Sequence, residues 1–258
     1  MAVARVRAQE SAAENALFED PYAAAFVAAS GEPLRPRPGP GPLAAVLAFQ
    51  TVVRTRFYDD QLLHSGHDQV VLLAAGLDTR AYRLGWPPGT RLYEVDLPPV
   101  LDFKHRVLAA RSAEPRCERA AVPADLLTPT WADRLREAGF DPTRPATWLV
   151  EGLLVYLTAE QSAALLTTVG ELSAPGSMLA LERGRSGRTV LDDPSVAHIT
   201  SLWKGGLGAG TADWLAGHGW HPRNHPLDEV AAHYGRPTAN PSGTGFITAL
   251  RTPRGGQP

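Results

Sequence analysis

Gln69-Val-Val-Leu-Leu-Ala-Ala-Gly-Leu-Asp-Thr-Arg80 is the stretch on which the fold turns. It opens as a short, unbroken apolar run and closes on Ala74, Ala75 and Gly76, which reads as a buried strand entering a tight turn. Downstream, short apolar segments recur at 91–96, 121–124, 147–151 and 177–182. Helical patterns at 100–113, 131–138 and 159–172 lie between them. Strand–helix alternation predicts a mainly parallel sheet with right-handed crossovers, a doubly wound α/β fold. The end breaks the rhythm: strand-like 220–221 and 245–250 flank a short helix at 227–234. Upstream, Leu43, Val46, Leu47, Val53 and Phe57 recur near helical spacing, so 43–63 is expected to be one helix. Residues up to about 29 also read as helical, with Asp20 as an N-cap and Pro21 at the first helical position. Prolines at 33, 36, 38, 40 and 42 make 31–42 an irregular loop.

Hydrophobic residues make up 44% of the 258 positions and charged residues 20%, enough for a substantial core. A formal net charge of -2 argues against a dedicated nucleic-acid binder. Cys117 is the only cysteine, which excludes an internal disulfide and a cysteine-based zinc site. Pro222 and Pro226 interrupt the helix that His218, His221 and His225 would need for i, i+4 ligation, so no metal is expected. No apolar run is long enough to span a bilayer, and Met1 to Leu17 has no signal-peptide pattern. A soluble, cytoplasmic protein without a membrane partner is expected.

In an open α/β sheet, ligands bind beyond the carboxyl ends of the strands. Ala74-Ala75-Gly76 stands at the first such end, Asp96 at the second, Asp125-Leu126 at the third and Glu151-Gly152 at the fourth. A small-residue turn admits a ligand close to backbone, and an acidic side chain at the second strand end can accept ribose hydroxyls. A dinucleotide would need the pyrophosphate cradle G-x-G-x-x-G. The corresponding positions read Ala74, Gly76 and Thr79, so an adenosyl ligand without phosphates, S-adenosylmethionine (SAM), is favoured over NAD. Asp125 suits the adenine amine with Leu126 flanking the ring, and equally suits a helix N-cap. Glu151 ends an apolar strand and needs a partner. The cationic end of the cofactor is one candidate and an arginine is another.

Residues 69–84 resemble the first cofactor motif of the leucine carboxyl methyltransferase-like family. Phe18-Glu-Asp-Pro-Tyr-Ala23, Arg54-Thr-Arg-Phe-Tyr-Asp-Asp60, Glu94-Val-Asp-Leu-Pro98 with Lys104, and Trp148-Leu-Val-Glu-Gly-Leu-Leu-Val-Tyr-Leu157 resemble further motifs of that family. So do Leu202-Trp-Lys-Gly-Gly206 and Gly235-Arg-Pro237. The family usually has glycine where this chain has Ala74. The resemblance implies a seven-stranded, Rossmann-like methyltransferase sheet with SAM as cofactor. It implies that Arg54 binds the methionyl carboxylate, Ala75 and Gly76 approach the cofactor, and Asp96 holds the ribose. Asp125-Leu126 would meet adenine, and Glu151 would lie beside the methionyl end. On residues alone Arg54 reads as a surface helix arginine, yet a guanidinium suits a carboxylate through two parallel hydrogen bonds.

One domain over 1–258 is expected, with a helical cap at 1–65, a cofactor-binding core at 66–183, a lid at 184–212 and the last part of the sheet at 213–258. A carboxylate acceptor, with a pKa of about 4, needs no general base, whereas a phenol near 10 does. No base is evident. That absence, together with the family resemblance, makes a small-molecule carboxylate the expected acceptor, with Tyr156 contacting it. The alternatives are a hydroxyl O-methyltransferase using Tyr156 or His198 as base, a nicotinamide-dependent oxidoreductase, and a non-catalytic binding protein. Phe18, Tyr22, Phe26 and Trp203 are expected to line the acceptor pocket, with Arg185, Arg188 and Lys204 attracting an acid.

Overall fold

The computed structural model describes residues 1–31, 41–183, 197–238 and 244–253. In chain order the elements are α1 (Ala2–Ser11), α2 (Ala23–Ala29), α3 (Pro42–His64), β1 (Gln69–Leu73), α4 (Arg80–Arg83), β2 (Arg91–Asp96), α5 (Pro98–Ala109), β3 (Glu118–Pro123), α6 (Trp131–Glu137) and β4 (Ala146–Val150). A 3-10 turn (Leu154–Tyr156), α7 (Ala159–Glu171), β5 (Met178–Arg183), α8 (Ala197–Thr200), a second 3-10 turn (Gly208–Gly210), α9 (Thr211–Gly217), β6 (Trp220–Pro226), α10 (Leu227–His233) and β7 (Gly245–Arg251) follow. The expected strand–helix alternation is present. The N-terminal helical stretch is interrupted over 12–22, where Asp20 Oδ1 accepts from the backbone N–H groups of Tyr22 and Ala23, both at 3.1 Å. Asp20 thus caps the approach to α2, which begins two residues after Pro21 rather than at it.

The seven strands lie in the order β3-β2-β1-β4-β5-β7-β6, with β7 antiparallel to both neighbours. Every residue of β1 and β4 is buried, as their continuous apolar runs require of strands covered on both faces. Gln69, the polar exception in β1, donates to Asp141 O (3.0 Å) and accepts from Asp141 N (2.8 Å). Pro123, Pro222 and Pro226 fall on the two edge strands, where a missing N–H is tolerated.

Two apolar layers close on the sheet. One joins Phe26 of α2, Val53, Phe57, Tyr58 and Leu62 of α3, and Val230 of α10 to Val70, Leu72, Leu92 and Phe246. The other joins Trp131, Leu135, Leu165, Leu166 and Leu215 to Val71, Val95, Trp148 and Ile247. Strand order reverses direction between β1 and β4. At such a switch point the flanking connections leave to opposite faces and open a crevice beyond the strand ends. The carboxyl ends of β1, β2, β4 and β5 therefore define where a ligand can enter.

Candidate cofactor site

The turn after β1 is held in an unusual conformation. Ala74 and Gly76 both have left-handed backbones, with φ of +52° and +50°. For alanine this places Cβ against the following carbonyl, a cost of roughly 1–2 kcal/mol. The neighbouring bonds impose it: Ala75 N donates to Val95 O (3.2 Å) and Gly76 N donates to Asp96 Oδ2 (2.6 Å). Asp96 Oδ1 accepts from Leu97 N at 2.7 Å. One half-exposed carboxylate thus joins the first and second strand ends. A carboxylate has about four lone-pair sites, so both oxygens of Asp96 can still accept from a ligand.

Beneath that turn lies a buried ion network that the sequence analysis left unread. Arg80, whose side chain is 1% exposed, donates from Nε to Asp59 Oδ1 (2.7 Å) and from Nη1 to Glu151 Oε2 (2.8 Å) and to Asp78 Oδ2. Arg83 grips Asp59 with two parallel bonds of 2.6 Å. Arg54, from α3, meets Glu151 Oε1 through Nε at 2.9 Å and pairs with Glu182 through Nη1. Glu182, at the end of β5, also accepts from Gly152 N at 2.6 Å. Gly152 has a φ of +67°, and a Cβ there would stand 3.7 Å from Arg54 Nη1.

The charge states follow from this packing. Burial alone would lower the Arg54 and Arg80 pKa values, yet Glu182 and Glu151 for Arg54, and Asp78, Glu151 and Asp59 for Arg80, raise both above the ordinary guanidinium range. Burial would raise Asp78, but Arg80 foremost, with Lys104, Arg7 and Arg83, brings it down to about 2. Glu151 is likewise held low against burial by Arg80 and Arg54. Glu182 differs. Burial dominates, Arg54 offsets it only in part, and its carboxyl lies above its usual value.

The remaining expected site residues sit as follows. Ala75 is buried and Gly76 half-buried. Asp125 is exposed and caps a turn, accepting from Leu127 N at 2.9 Å, while Leu126 is half-buried against the second apolar layer. Tyr156 is half-buried in the 3-10 turn that follows Gly152. Lys204 N and Gly205 N both donate to Val155 O, at 2.8 and 3.1 Å, so the described part of the expected lid sits on this turn. Arg185 and Arg188 lie outside the described residues, as does the side chain of His198. Two expected pocket residues are core packing instead. Phe26 is fully buried against Phe103, at 6.3 Å between ring centres, and Phe18 is buried beneath the Arg83 guanidinium. Helical periodicity in α2 turns Phe26 inward with Ala23 and Val27, which leaves it no face towards a pocket.

The sequence profile of the leucine carboxyl methyltransferase family matches residues 1–170. The chain belongs to that family. A Frankia alni protein assigned to the SAM-dependent methyltransferases is 51% identical over 263 residues, covering 96% of this chain and 92% of its own length. A Streptomyces avermitilis relative with the same assignment is 43% identical, with 96% and 93% covered. Among solved structures, a DUF574-family protein from Streptomyces avermitilis superposes with a TM-score of 0.61 at 18% identity, covering 97% of each chain. Magnesium protoporphyrin IX methyltransferase from Synechocystis, solved with bound S-adenosylhomocysteine, superposes at 0.52 with 12% identity, covering 89% and 93%. At those identities the structures share the fold.

As a leucine carboxyl methyltransferase family member, the protein is a SAM-dependent methyltransferase of the class I fold. Its own residues fit that cofactor. Three guanidinium groups, Arg54, Arg80 and Arg83, face four carboxylates, Asp59, Asp78, Glu151 and Glu182. Among the described residues the network is thus one negative charge in excess, which suits a ligand carrying a sulfonium and an ammonium against a single carboxylate. Tyr58, one turn beyond Arg54, is fully buried, and its hydroxyl has no partner among the described residues. Arg7 of α1, paired with Asp20 at 3.3 Å, donates to Leu77 O and fastens the N-terminal helix over the turn.

Proposed function

We propose that the protein transfers a methyl group from SAM to a carboxylate of a small-molecule acceptor, forming a methyl ester. When bound, the cofactor supplies an electrophilic sulfonium methyl. In this reading Arg54 grips the methionyl carboxylate and Glu151 fixes Arg54 from the side away from it. Ala75 and Gly76 bring backbone against the ligand, Asp96 accepts from the ribose hydroxyls, and Asp125 with Leu126 meets adenine. Tyr156, on the turn beyond Gly152, contacts the acceptor. The protein aligns the two reactants and excludes water.

The observation that carries the choice of acceptor is the state of the carboxylates at the strand ends. Asp78, Glu151 and Glu182 are each bound by an arginine, and Asp96 and Asp125 by backbone N–H groups. His225, which shares this end of the sheet, is separated from Glu182 by Phe246 of β7 and is bonded to Thr248 at 2.8 Å. An acceptor already ionised at neutral pH asks for no proton transfer. With an acid acceptor, kcat/KM should therefore stay flat between about pH 6 and 9. Tyr156→Phe should raise KM with kcat largely kept. A rate that climbs with pH, or a collapse of kcat in that variant, would point to a hydroxyl acceptor deprotonated by the enzyme.

A further inference from the structure

We propose that Glu182 is the partner of the methionyl ammonium group, and that Arg54 exchanges Glu182 for the methionyl carboxylate when the cofactor binds. The inference deepens the assignment of Arg54 made above and rests on it.

The argument begins with what each glutamate can give. The charge of Glu151 is already compensated by two cations: one oxygen meets Arg54 Nε at 2.9 Å and the other Arg80 Nη1 at 2.8 Å. Arg80 is buried and anchored to Asp59 and Asp78 as well, so it cannot leave. Among the described residues Glu182 has one cation, Arg54, and one neutral donor, Gly152 N at 2.6 Å. The excess negative charge of the network therefore resides at Glu182, whose carboxyl burial already holds above its usual pKa. If Arg54 turns one edge to an incoming carboxylate, Glu182 loses the cation that pairs with it. A buried, uncompensated carboxylate is costly, and an α-amino acid brings the remedy a few bonds from its own carboxylate. One ion pair in the free protein becomes two in the complex.

A second feature points to a ligand at the same place. Tyr58 is fully buried, and its hydroxyl has no partner among the described residues, although Glu182 and Glu151 are the strongest charges acting on it. Buried hydroxyls are ordinarily satisfied. A zwitterionic amino-acid group held between Arg54 and Glu182 offers Tyr58 a carboxylate acceptor. Sequence alone carries a faint version of the signal, because Glu182 closes the apolar fifth strand as Glu151 closes the fourth.

The test is calorimetric and needs no methyl acceptor, so it stands apart from the question of which group is methylated. Four ligands are titrated: S-adenosylhomocysteine, its deaminated analogue, its decarboxylated analogue and 5′-methylthioadenosine. Wild type should bind S-adenosylhomocysteine about tenfold or more tighter than the deaminated analogue, the scale of one charge-assisted hydrogen bond. In Glu182→Gln that preference should fall to within about twofold, while affinity for 5′-methylthioadenosine is unchanged. Glu182→Asp keeps the charge but withdraws it by one methylene, and should reduce the preference in the same direction; it serves where the amide variant does not fold. Preference for the carboxylate, read from the decarboxylated analogue, reports on Arg54 separately. The proposal is overturned if the amine preference survives in both variants, if wild type shows none, or if Glu182→Gln weakens all four ligands alike.

Discussion

Replacing Arg80 by methionine keeps most of the side-chain volume and deletes the one cation shared by Asp59, Asp78 and Glu151. Asp78 alone sets a scale. Its pKa of about 2 in the fold, against 3.8 in the reference state, corresponds to about 2.5 kcal/mol at 1.36 kcal/mol per pKa unit. Removing one partner of a buried pair generally costs about 3–5 kcal/mol, and the two figures agree in scale because Arg80 is the largest favourable influence on Asp78. For a chain of this size that predicts a fall in melting temperature of roughly 6–20 °C at pH 7. The pH dependence follows from the same shift. A carboxylate whose folded pKa is depressed stabilises the fold fully above its unfolded pKa, and the contribution disappears as pH falls through the folded value. Wild type thus keeps the Asp78 contribution down to about pH 4 and loses it towards 2. In the variant the carboxylates no longer resist protonation, so its deficit should shrink between pH 7 and pH 4. Urea unfolding of both proteins at the two pH values measures this. A deficit below about 1 kcal/mol at pH 7, or one that does not change with pH, would refute the reasoning.

Three further outcomes are expected. Asp96→Ala should weaken SAM binding about tenfold or more, through loss of a charge-assisted hydrogen bond and of the tether to Gly76 N, with the fold retained; calorimetry checks it. Arg54→Lys should lose much of the affinity despite keeping its charge, because an ammonium cannot present a planar fork to both a carboxylate and Glu151, and the preference for SAM over decarboxylated SAM should fall with it. Ala74→Gly should raise stability by up to about 1 kcal/mol, since glycine adopts the left-handed backbone without strain and loses only part of the gain to chain entropy; a lower melting temperature would contradict it.

The sheet was legible because its signals are local. Unbroken apolar runs mark β1 and β4, and a change of period separates them from the helices, so element positions differ from expectation mainly at the ends. The strand-like reading of 220–221 stops short of β6, which runs on to Pro226; Pro222 and Pro226 lie on an edge strand, where a missing N–H is tolerated. The places of Asp96, Asp125 and Glu151 at or just past the ends of strands were legible because the signals that mark those strands are local. The pairing of Arg80, Asp59 and Glu182 was not, although Arg80 and Asp59 stand inside quoted motifs and Glu182 closes the fifth apolar segment. Their meaning depends on pairing between α3, the β1 turn and the end of β5, which sequence spacing does not report. Phe26 shows the opposite failure, where aromatic character suggested a pocket and helical phase decided for the core.

The most direct test of carboxylate methylation uses SAM carrying a tritiated methyl group, incubated with the enzyme and a panel of small carboxylic and hydroxy acids, followed by brief alkaline hydrolysis of the labelled product. A methyl ester releases its label as volatile methanol, and ethers and N-methyl groups do not. The account predicts that the transferred label becomes volatile on alkali treatment and that Arg54→Lys loses both signals together. Label that is transferred but stays non-volatile after alkali would contradict it.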